Sequence, residues 1–195
     1  MHFQPGELYH VYNRGNNRQP LFWSRENYLF FLKRFRQHLH PYADFLAYCL
    51  MPNHFHFLIH ANESTCQIMA HGGLRVTRFA EGVRHLLSGY TQSINRQQQR
   101  TGSLFTQNTH AKRLPTTSER YPETCFHYIH QNPVRAGLVQ NLEDWEFSSF
   151  RDYARLRNGT LANQSLAKKL LDINWNQFSD ETRQTLPEAV LKAIW

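Results

Sequence analysis

Two adjacent runs of strand-forming residues, joined by a turn, constrain the fold of this chain more than any other feature. Residues 44–61, DFLAYCLMPNHFHFLIHA, are rich in aromatic and β-branched side chains and are interrupted at Pro52-Asn53. Runs of this composition favour strands, and proline followed by asparagine favours a tight turn. The segment therefore predicts two neighbouring strands, with a tight connection, at the centre of a sheet.

Further strands and helices are predicted on both sides of this hairpin. Residues 8–14, LYHVYNR, alternate apolar and polar positions and predict a first strand. Between Ser24, a good N-cap, and Pro41, apolar side chains recur at helical spacing and predict an amphipathic helix. Residues 64–100 also show helical spacing, so we expect one interrupted helix or two, with Gly72-Gly73 as the break.

The second half of the chain continues this mixed pattern. Residues 102–114 predict a further strand, with Lys112 and Arg113 at its exit. A helix is expected from Pro122 to about Gln131, because Pro133 disfavours helical geometry in the residue before it. Two short helical patterns follow, around residues 164–171 and 187–194.

The charge is basic and unevenly distributed. The chain has 195 residues, which suits one domain or one domain with an appendage, and a formal net charge of +7. Residues 1–100 hold 11 basic and 5 acidic side chains, and every basic residue among them except Lys33 is an arginine. The arginine guanidinium binds phosphate in a bidentate manner and stacks on bases, so the surplus suits a polyanionic partner, although a solvated basic surface has the same composition.

The three cysteines and the N-terminus point to a cytoplasmic protein. Cys49, Cys66 and Cys125 form no close pair in sequence, which argues against a disulfide framework and against a thiolate zinc site. Neither a signal-peptide pattern nor an apolar run of membrane-spanning length is present in the sequence, and we expect no membrane partner. The phosphate-cradling G-x-x-x-x-G-K motif is also missing, so no nucleotide cofactor is expected.

A pair of histidines within the second strand of the hairpin is the first candidate for chemistry. His54 and His56 are two residues apart, and such residues on a strand share one face. Two imidazoles side by side can bind one divalent metal if another element supplies a third ligand. Two histidines on a half-exposed sheet face would give the same pattern, and His60 lies on the same face.

A tyrosine in the predicted helix near Pro133 is the second candidate. Tyr128 lies in FHYIHQNP, and its hydroxyl could attack a phosphate that a metal polarises. Asn132 follows one helical turn later and could supply an oxygen ligand, with His130 and Gln131 as other possible ligands. Tyr128 could equally be an aromatic residue at the edge of the core.

Several segments together resemble the single-tyrosine HUH transposases, most closely the REP-associated tyrosine transposases of bacteria. The segments are YHVYNRGNNRQPLF, AYCLMPNHFHFLIH, TGSLF, YIHQNPVRAGLV and WEFSSF, in that order. The resemblance covers residues 8–153, and the ordered combination is far more specific than any single motif. It implies an α+β fold with a central antiparallel sheet flanked by helices, similar to ferredoxin-like and RNA-recognition folds.

The resemblance also implies a function for individual residues. His54 and His56 match the metal-binding HUH pair, Tyr128 matches the nucleophile that joins to the 5′ side of the cleaved strand, and Asn132 matches the position that completes the metal site. The implied metal is Mg²⁺ or Mn²⁺. The implied partner is single-stranded DNA that carries a hairpin, bound by a homodimer, with a monomer as the alternative.

Five basic residues are candidates for DNA contacts, because hairpin recognition needs contacts to phosphates and to unpaired bases. They are Arg14, Arg18, Lys112, Arg113 and Arg135. Each could also be an ordinary solvated charge.

The sequence thus predicts a nuclease domain over residues 1–153 and a helical extension over 154–195. The predicted function is metal-dependent cleavage and joining of single-stranded DNA through a covalent 5′-phosphotyrosine. Alternatives are an HUH replication initiator or relaxase, a catalytically silent regulator that binds hairpin DNA, and a structural zinc site in an unrelated binding module.

Overall fold

The predicted hairpin forms, and it belongs to a four-stranded antiparallel sheet. The computed structural model describes residues 1–116 and 119–194. Its strands are β1 (Leu8–Arg14), β2 (Asp44–Met51), β3 (His54–His60), β4 (Ile68–His71), β5 (Leu74–Thr77) and β6 (His110–Leu114). The main sheet has the order β2-β3-β1-β6, so β3 is central as predicted while β2 lies at the edge.

Eight α-helices lie in the described residues. They are α1 (Arg25–His38), α2 (Glu63–Cys66), α3 (Arg78–Gln97), α4 (Tyr121–Arg135), α5 (Phe150–Tyr153), α6 (Gln164–Leu170), α7 (Phe178–Arg183) and α8 (Glu188–Ile194). None of these helices combines the length and the apolar character needed to cross a bilayer.

The order of elements confirms the predicted α+β fold. The succession β1-α1-β2-β3-α3-β6 is the β-α-β-β-α-β arrangement of ferredoxin-like folds, and all pairs of neighbouring strands in the main sheet are antiparallel. One face of the sheet packs against α1 and α3 around a first core that includes Phe31, Phe57 and Tyr90. The other face packs against α4 and the C-terminal helices around a second core that includes Leu58 and Phe126. The sheet therefore lies between two helical layers.

The prediction of one interrupted helix or two over residues 64–100 was wrong for the first part of that range. After the single turn of α2, the chain forms a separate β4-β5 hairpin, and only α3 is a long helix. Gly72 and Gly73 make the two-residue loop of this hairpin, both with positive φ (54° and 80°), a region that glycine adopts at no steric cost. The glycine pair therefore reverses the chain in a strand hairpin instead of separating two helices.

Two other predicted boundaries also changed. The strand predicted over residues 102–114 is confined to β6, so Lys112 and Arg113 lie within the strand and not at its exit. Helix α4 continues through Pro133 to Arg135. Asn132 is consequently inside the helix, one turn after Tyr128.

The segment after residue 153 packs into the fold. Ala167, Leu171, Phe178 and Leu191 belong to the second core, next to residues of β2 and α4. At the start of this segment, the Arg157 guanidinium donates to the carboxylate of Asp152, whose side chain is fully buried, with Nε to Oδ1 at 2.6 Å. Arg157 also donates to the Tyr48 hydroxyl at 2.8 Å, so one side chain connects the segment to the edge strand β2.

The two faces of α1 provide a test of the first core. Phe31 is fully buried between α3 and the sheet, whereas Leu29 on the same helix is 42% exposed. Replacing Phe31 by alanine removes a large buried side chain and leaves a cavity, so we expect Phe31→Ala to lower the free energy of unfolding by about 3 to 5 kcal/mol. Leu29→Ala should change it by under about 1 kcal/mol. Urea denaturation followed by circular dichroism measures both, and equal losses would contradict the packing described here.

Candidate metal and nucleic-acid site

The register between β1 and β3 brings the two candidate histidines to one end of the sheet. In this pairing His56 lies opposite Tyr12 and His54 lies opposite Arg14. Alternate residues of a strand point to the same face, so these side chains share the face that α4 covers. Phe55 and Phe57 point to the other face and are buried in the first core. Burial of these phenylalanines thus fixes which face the histidines occupy.

His56 lies at the bottom of the site. It is fully buried, and its Nδ1 is 2.9 Å from Nε2 of His10 on the neighbouring strand, which is also fully buried. A histidine with one ring nitrogen in such a contact keeps the other nitrogen as the atom that can bind a metal. The atom of His56 that can bind a metal is therefore Nε2. His10 was not among the residues singled out from the sequence.

His54 is held by two amide side chains. Its Nδ1 is 2.6 Å from Oδ1 of Asn53, the turn residue of the β2-β3 hairpin. It also makes a side-chain hydrogen bond with Asn132 of α4. Asn132 itself donates through Nδ2 to the backbone carbonyl of Tyr128 at 2.9 Å, which fixes its amide on the helix. Asn132 thus links the tyrosine helix to the histidine pair.

Burial keeps both histidines neutral. It lowers the pKa of His54 to about 4, an effect that the hydrogen bond with Asn132 opposes and the nearby Arg14 reinforces. It lowers the pKa of His56 well below the ordinary value, with His10 and His54 acting in the same direction. A neutral imidazole is the form that can bind metal ions, so both candidate ligands are in that form at neutral pH.

Tyr128 lies directly against His56. Its ring is 6% exposed and meets the ring of His56 edge to face, with centroids 5.7 Å apart. The guanidinium of Arg135, the last residue of α4, lies 5.9 Å from the centre of the tyrosine ring. Tyr128 therefore has a metal-binding candidate on one side and a positive charge nearby.

Two other polar residues of α4 contact residues outside the site. Nε2 of His130 is 2.8 Å from the Ser149 hydroxyl, and Gln131 donates to the backbone carbonyl of Thr182 at 2.7 Å. These contacts engage Nε2 of both residues that the sequence offered as other ligands with partners other than His54 and His56. His60, at the opposite end of β3, lies 3.6 Å from a carboxylate oxygen of Asp44. Of the three candidates for a third ligand, Asn132 is the one that contacts the histidine pair within the part of the chain that the structure describes.

A cleft of about 390 Å³ opens beside the histidines. It is lined by Tyr12, Asn13, Arg14, Arg18, Asn53, His54, His56, Thr106 and His110. Two of the predicted DNA-binding residues, Arg14 and Arg18, are exposed at this cleft. Tyr12 and His110 were missed in the sequence, because only strand pairing places them next to each other.

The remaining basic candidates lie in different places. Lys112 is half-buried on β6, opposite His10 and on the α4 side of the sheet. Arg113 does not reach the site. It follows Lys112 on β6, so its side chain points to the opposite face of the sheet. There it forms a two-bond ion pair with Glu7 at 2.6 and 2.9 Å. An arginine engaged in this way is less available to phosphate.

The candidate metal ligands of the site are two imidazole rings and one side-chain amide. Among the described residues, no three His, Cys, Asp or Glu side chains come together as a metal site, so a carboxylate or thiolate set such as structural zinc sites use is not found there. Imidazole nitrogen combined with amide oxygen suits an ion of intermediate character such as Mn²⁺, whereas Mg²⁺ prefers oxygen ligands throughout. The residues present therefore fit a divalent cation.

Comparison with known proteins supports the fold. A solved structure described as a REP-associated tyrosine transposase bound to a REP hairpin matches 84% of this chain and 92% of its own chain, with a TM-score of 0.58 and 19% sequence identity. At this identity the similarity shows the shared α+β fold, with its antiparallel sheet between helices. No protein-family model matches the sequence, and no curated protein was found to match it.

The buried histidines predict how stability depends on pH. Burial, together with the nearby Arg120, lowers the pKa of His127 to about 4, while in the unfolded chain it is near 6.5. Below pH 6.5 the unfolded state therefore binds the proton first, and stability falls with pH down to about 4, by at most about 1.4 kcal/mol per pH unit for each such histidine.

Urea denaturation at pH 7, 6, 5 and 4.5 should show this decline. His127→Gln should reduce its slope, because the variant has no imidazole to protonate at that position. An unchanged slope in His127→Gln would contradict the effect assigned to burial.

Proposed function

We propose that this chain cleaves and rejoins single-stranded DNA beside a hairpin, with a divalent metal ion and Tyr128 as the nucleophile. The proposal depends on the meeting of Tyr128, Asn132 and the histidine pair in one place. His56 lies against the tyrosine ring, and Asn132 is hydrogen-bonded both to the Tyr128 carbonyl and to His54. The similarity in fold to a tyrosine transposase adds support.

The reaction needs few protein groups. The Tyr128 hydroxyl oxygen attacks the scissile phosphorus, and the bond from phosphorus to the 3′ oxygen breaks. The tyrosine loses its proton and the departing 3′ oxygen gains one, which leaves a 5′-phosphotyrosine and a free 3′-OH. Attack by a 3′-OH on the phosphotyrosine restores a phosphodiester, so no external energy source is required.

His54, His56 through its Nε2 atom, and Asn132 would hold the metal ion, which would take the place of the hydrogen bond between His54 and Asn132. When bound, the ion would polarise the scissile phosphate and offset the charge that develops on it. Asn53 and His10 contact the Nδ1 atoms of the two rings and so orient them. Arg135 is placed to stabilise negative charge next to the tyrosine.

The DNA would approach from the cleft side. Arg14 and Arg18 are exposed at the cleft, and the basic surplus of the first 100 residues favours a polyanion. A hairpin is the proposed partner because the solved structure of similar fold is described as bound to a REP hairpin. Lys112, on the same side of the sheet, is a further candidate for contact with phosphate.

Adduct formation tests the reaction directly. The protein is incubated with single-stranded oligonucleotides that contain hairpins, with Mn²⁺, Mg²⁺ or EDTA, and a denaturing gel reveals a protein-DNA adduct. The wild type should form the adduct only with metal, and Tyr128→Phe should abolish it because the nucleophilic hydroxyl is gone.

Tyr121→Phe, at the first position of the same helix, is the matched control and should form the adduct normally. An adduct that persists in Tyr128→Phe would eliminate this tyrosine as the nucleophile. Hairpin binding without any adduct would instead indicate a regulator that binds DNA without cutting it.

Metal affinity tests the proposed ligands without DNA. Titration with Mn²⁺, followed by electron paramagnetic resonance, should show that His54→Ala abolishes binding. Asn53→Ala should weaken it about 10- to 100-fold, the usual effect of losing a group that orients a ligand. His60→Ala, on the same face at the far end of β3, should leave it unchanged. Equal affinity in Asn53→Ala and wild type would show that Asn53 does not orient His54.

A further inference from the structure

Four aromatic rings form a continuous row from the candidate metal site to the surface. The rings of His56 and His10 have centroids 5.1 Å apart with planes at 20°, and His10 and Tyr12 are 4.7 Å apart at 33°. Tyr12 and His110 follow at 5.0 Å and 15°. We call these four residues the ring stack. It crosses three neighbouring strands, β3, β1 and β6, on the face of the sheet that carries the site.

The ring stack begins in the interior and ends in solvent. His56 and His10 are fully buried, Tyr12 is half-buried and His110 is exposed. The exposed end lines the cleft beside His54 and His56. An exposed ring that ends a row of stacked rings can take one more flat partner, since base-aromatic stacking accepts any base.

The charge of the cleft indicates the chemistry of that partner. Arg14 and Arg18 line the cleft with His110, and neither makes an ion pair with any residue that the structure describes. The described lining residues include no aspartate or glutamate. Two guanidinium groups next to an exposed ring favour a ligand that is both anionic and flat.

The cleft is built from tightly held residues. Asn13, 2% exposed, donates to the carbonyl of Thr106 and to the hydroxyl of Thr109, which fixes the loop that leads into His110. A Cβ atom at Gly15 would collide with the carbonyl of Gln19, so the turn that carries Arg18 closes only because this residue is glycine. The surface is therefore formed before any ligand arrives, which lowers the entropic cost of binding.

We propose that this cleft binds one unpaired nucleotide of the DNA, next to the phosphate that is cut. The base stacks on His110, and the phosphates on either side of it bind Arg14 and Arg18. A base within a duplex has both faces covered, so only an unpaired one can add to the stack. The cleft volume of about 390 Å³ lies within the usual range of sites for small ligands.

This inference rests on the proposed function, because it places the nucleotide beside the reacting phosphate. Binding is measured in EDTA with Tyr128→Phe protein, so that no cleavage occurs. The probes are a blunt hairpin, the same hairpin with a single-stranded extension, and a set of extended hairpins in which an abasic residue occupies one position after another. Fluorescence anisotropy gives each Kd.

His110→Ala should weaken binding of the extended hairpin by roughly 5- to 150-fold, the range of one base-aromatic stack, and leave the blunt hairpin unaffected. In protein that retains His110, one abasic position should cause a similar loss, and in His110→Ala the same abasic residue should cause none. His110→Phe should retain the affinity, because its ring still stacks. His85→Ala, on the opposite helical layer with its side chain 50% exposed, is the matched control.

The results that would overturn the nucleotide site differ from those that would overturn the proposed function. Equal binding of extended and blunt hairpins, or an unchanged Kd in His110→Ala, would overturn the nucleotide site and leave the proposed function standing. Equal loss on both hairpins would place His110 on the duplex and would also overturn it. If neither hairpin binds, the proposed function falls and this inference falls with it.

Discussion

The pairing of β1 with β3 is the contact on which the candidate site depends. Its register places Tyr12 beside His56 and Arg14 beside His54, and it brings His10 within reach of the deeper histidine. Side chains alternate along a strand, so a slip of one residue would move both candidate ligands into the first core. Burial of Phe55 and Phe57 on that side opposes such a slip. Packing of the phenylalanines on one face of the sheet thus determines which candidate ligands lie on the other face.

Helix α4 is the second determinant, because it contacts the sheet and the C-terminal segment at once. Asn132 and Tyr128 meet the histidine pair, while Gln131 donates to the carbonyl groups of Thr182 and Gln184 at 2.7 and 2.8 Å. The C-terminal segment therefore holds the tyrosine helix against the sheet. Residues far along the chain from Tyr128 contribute to its position.

Much of this arrangement could be predicted from sequence, because it follows from local periodicity. The β2-β3 hairpin, the shared face of the histidines and the spacing of Tyr128 and Asn132 depend on neighbouring residues alone. The contact of His56 with His10, and the fact that Arg113 lies on the opposite face, depend on strand pairing, which one sequence does not fix. The β4-β5 hairpin was missed because its short apolar strands also fit a helical spacing.

The hydrogen bonds of Asn132 have a consequence for assembly. They join the tyrosine helix to His54 of the same chain, and the C-terminal segment packs over the outer side of that helix. To exchange tyrosines between two copies, each chain would have to give up these contacts and expose part of the second core. A single copy already holds its nucleophile candidate and its ligand candidates together, so the contacts among these residues do not require a second copy of the chain.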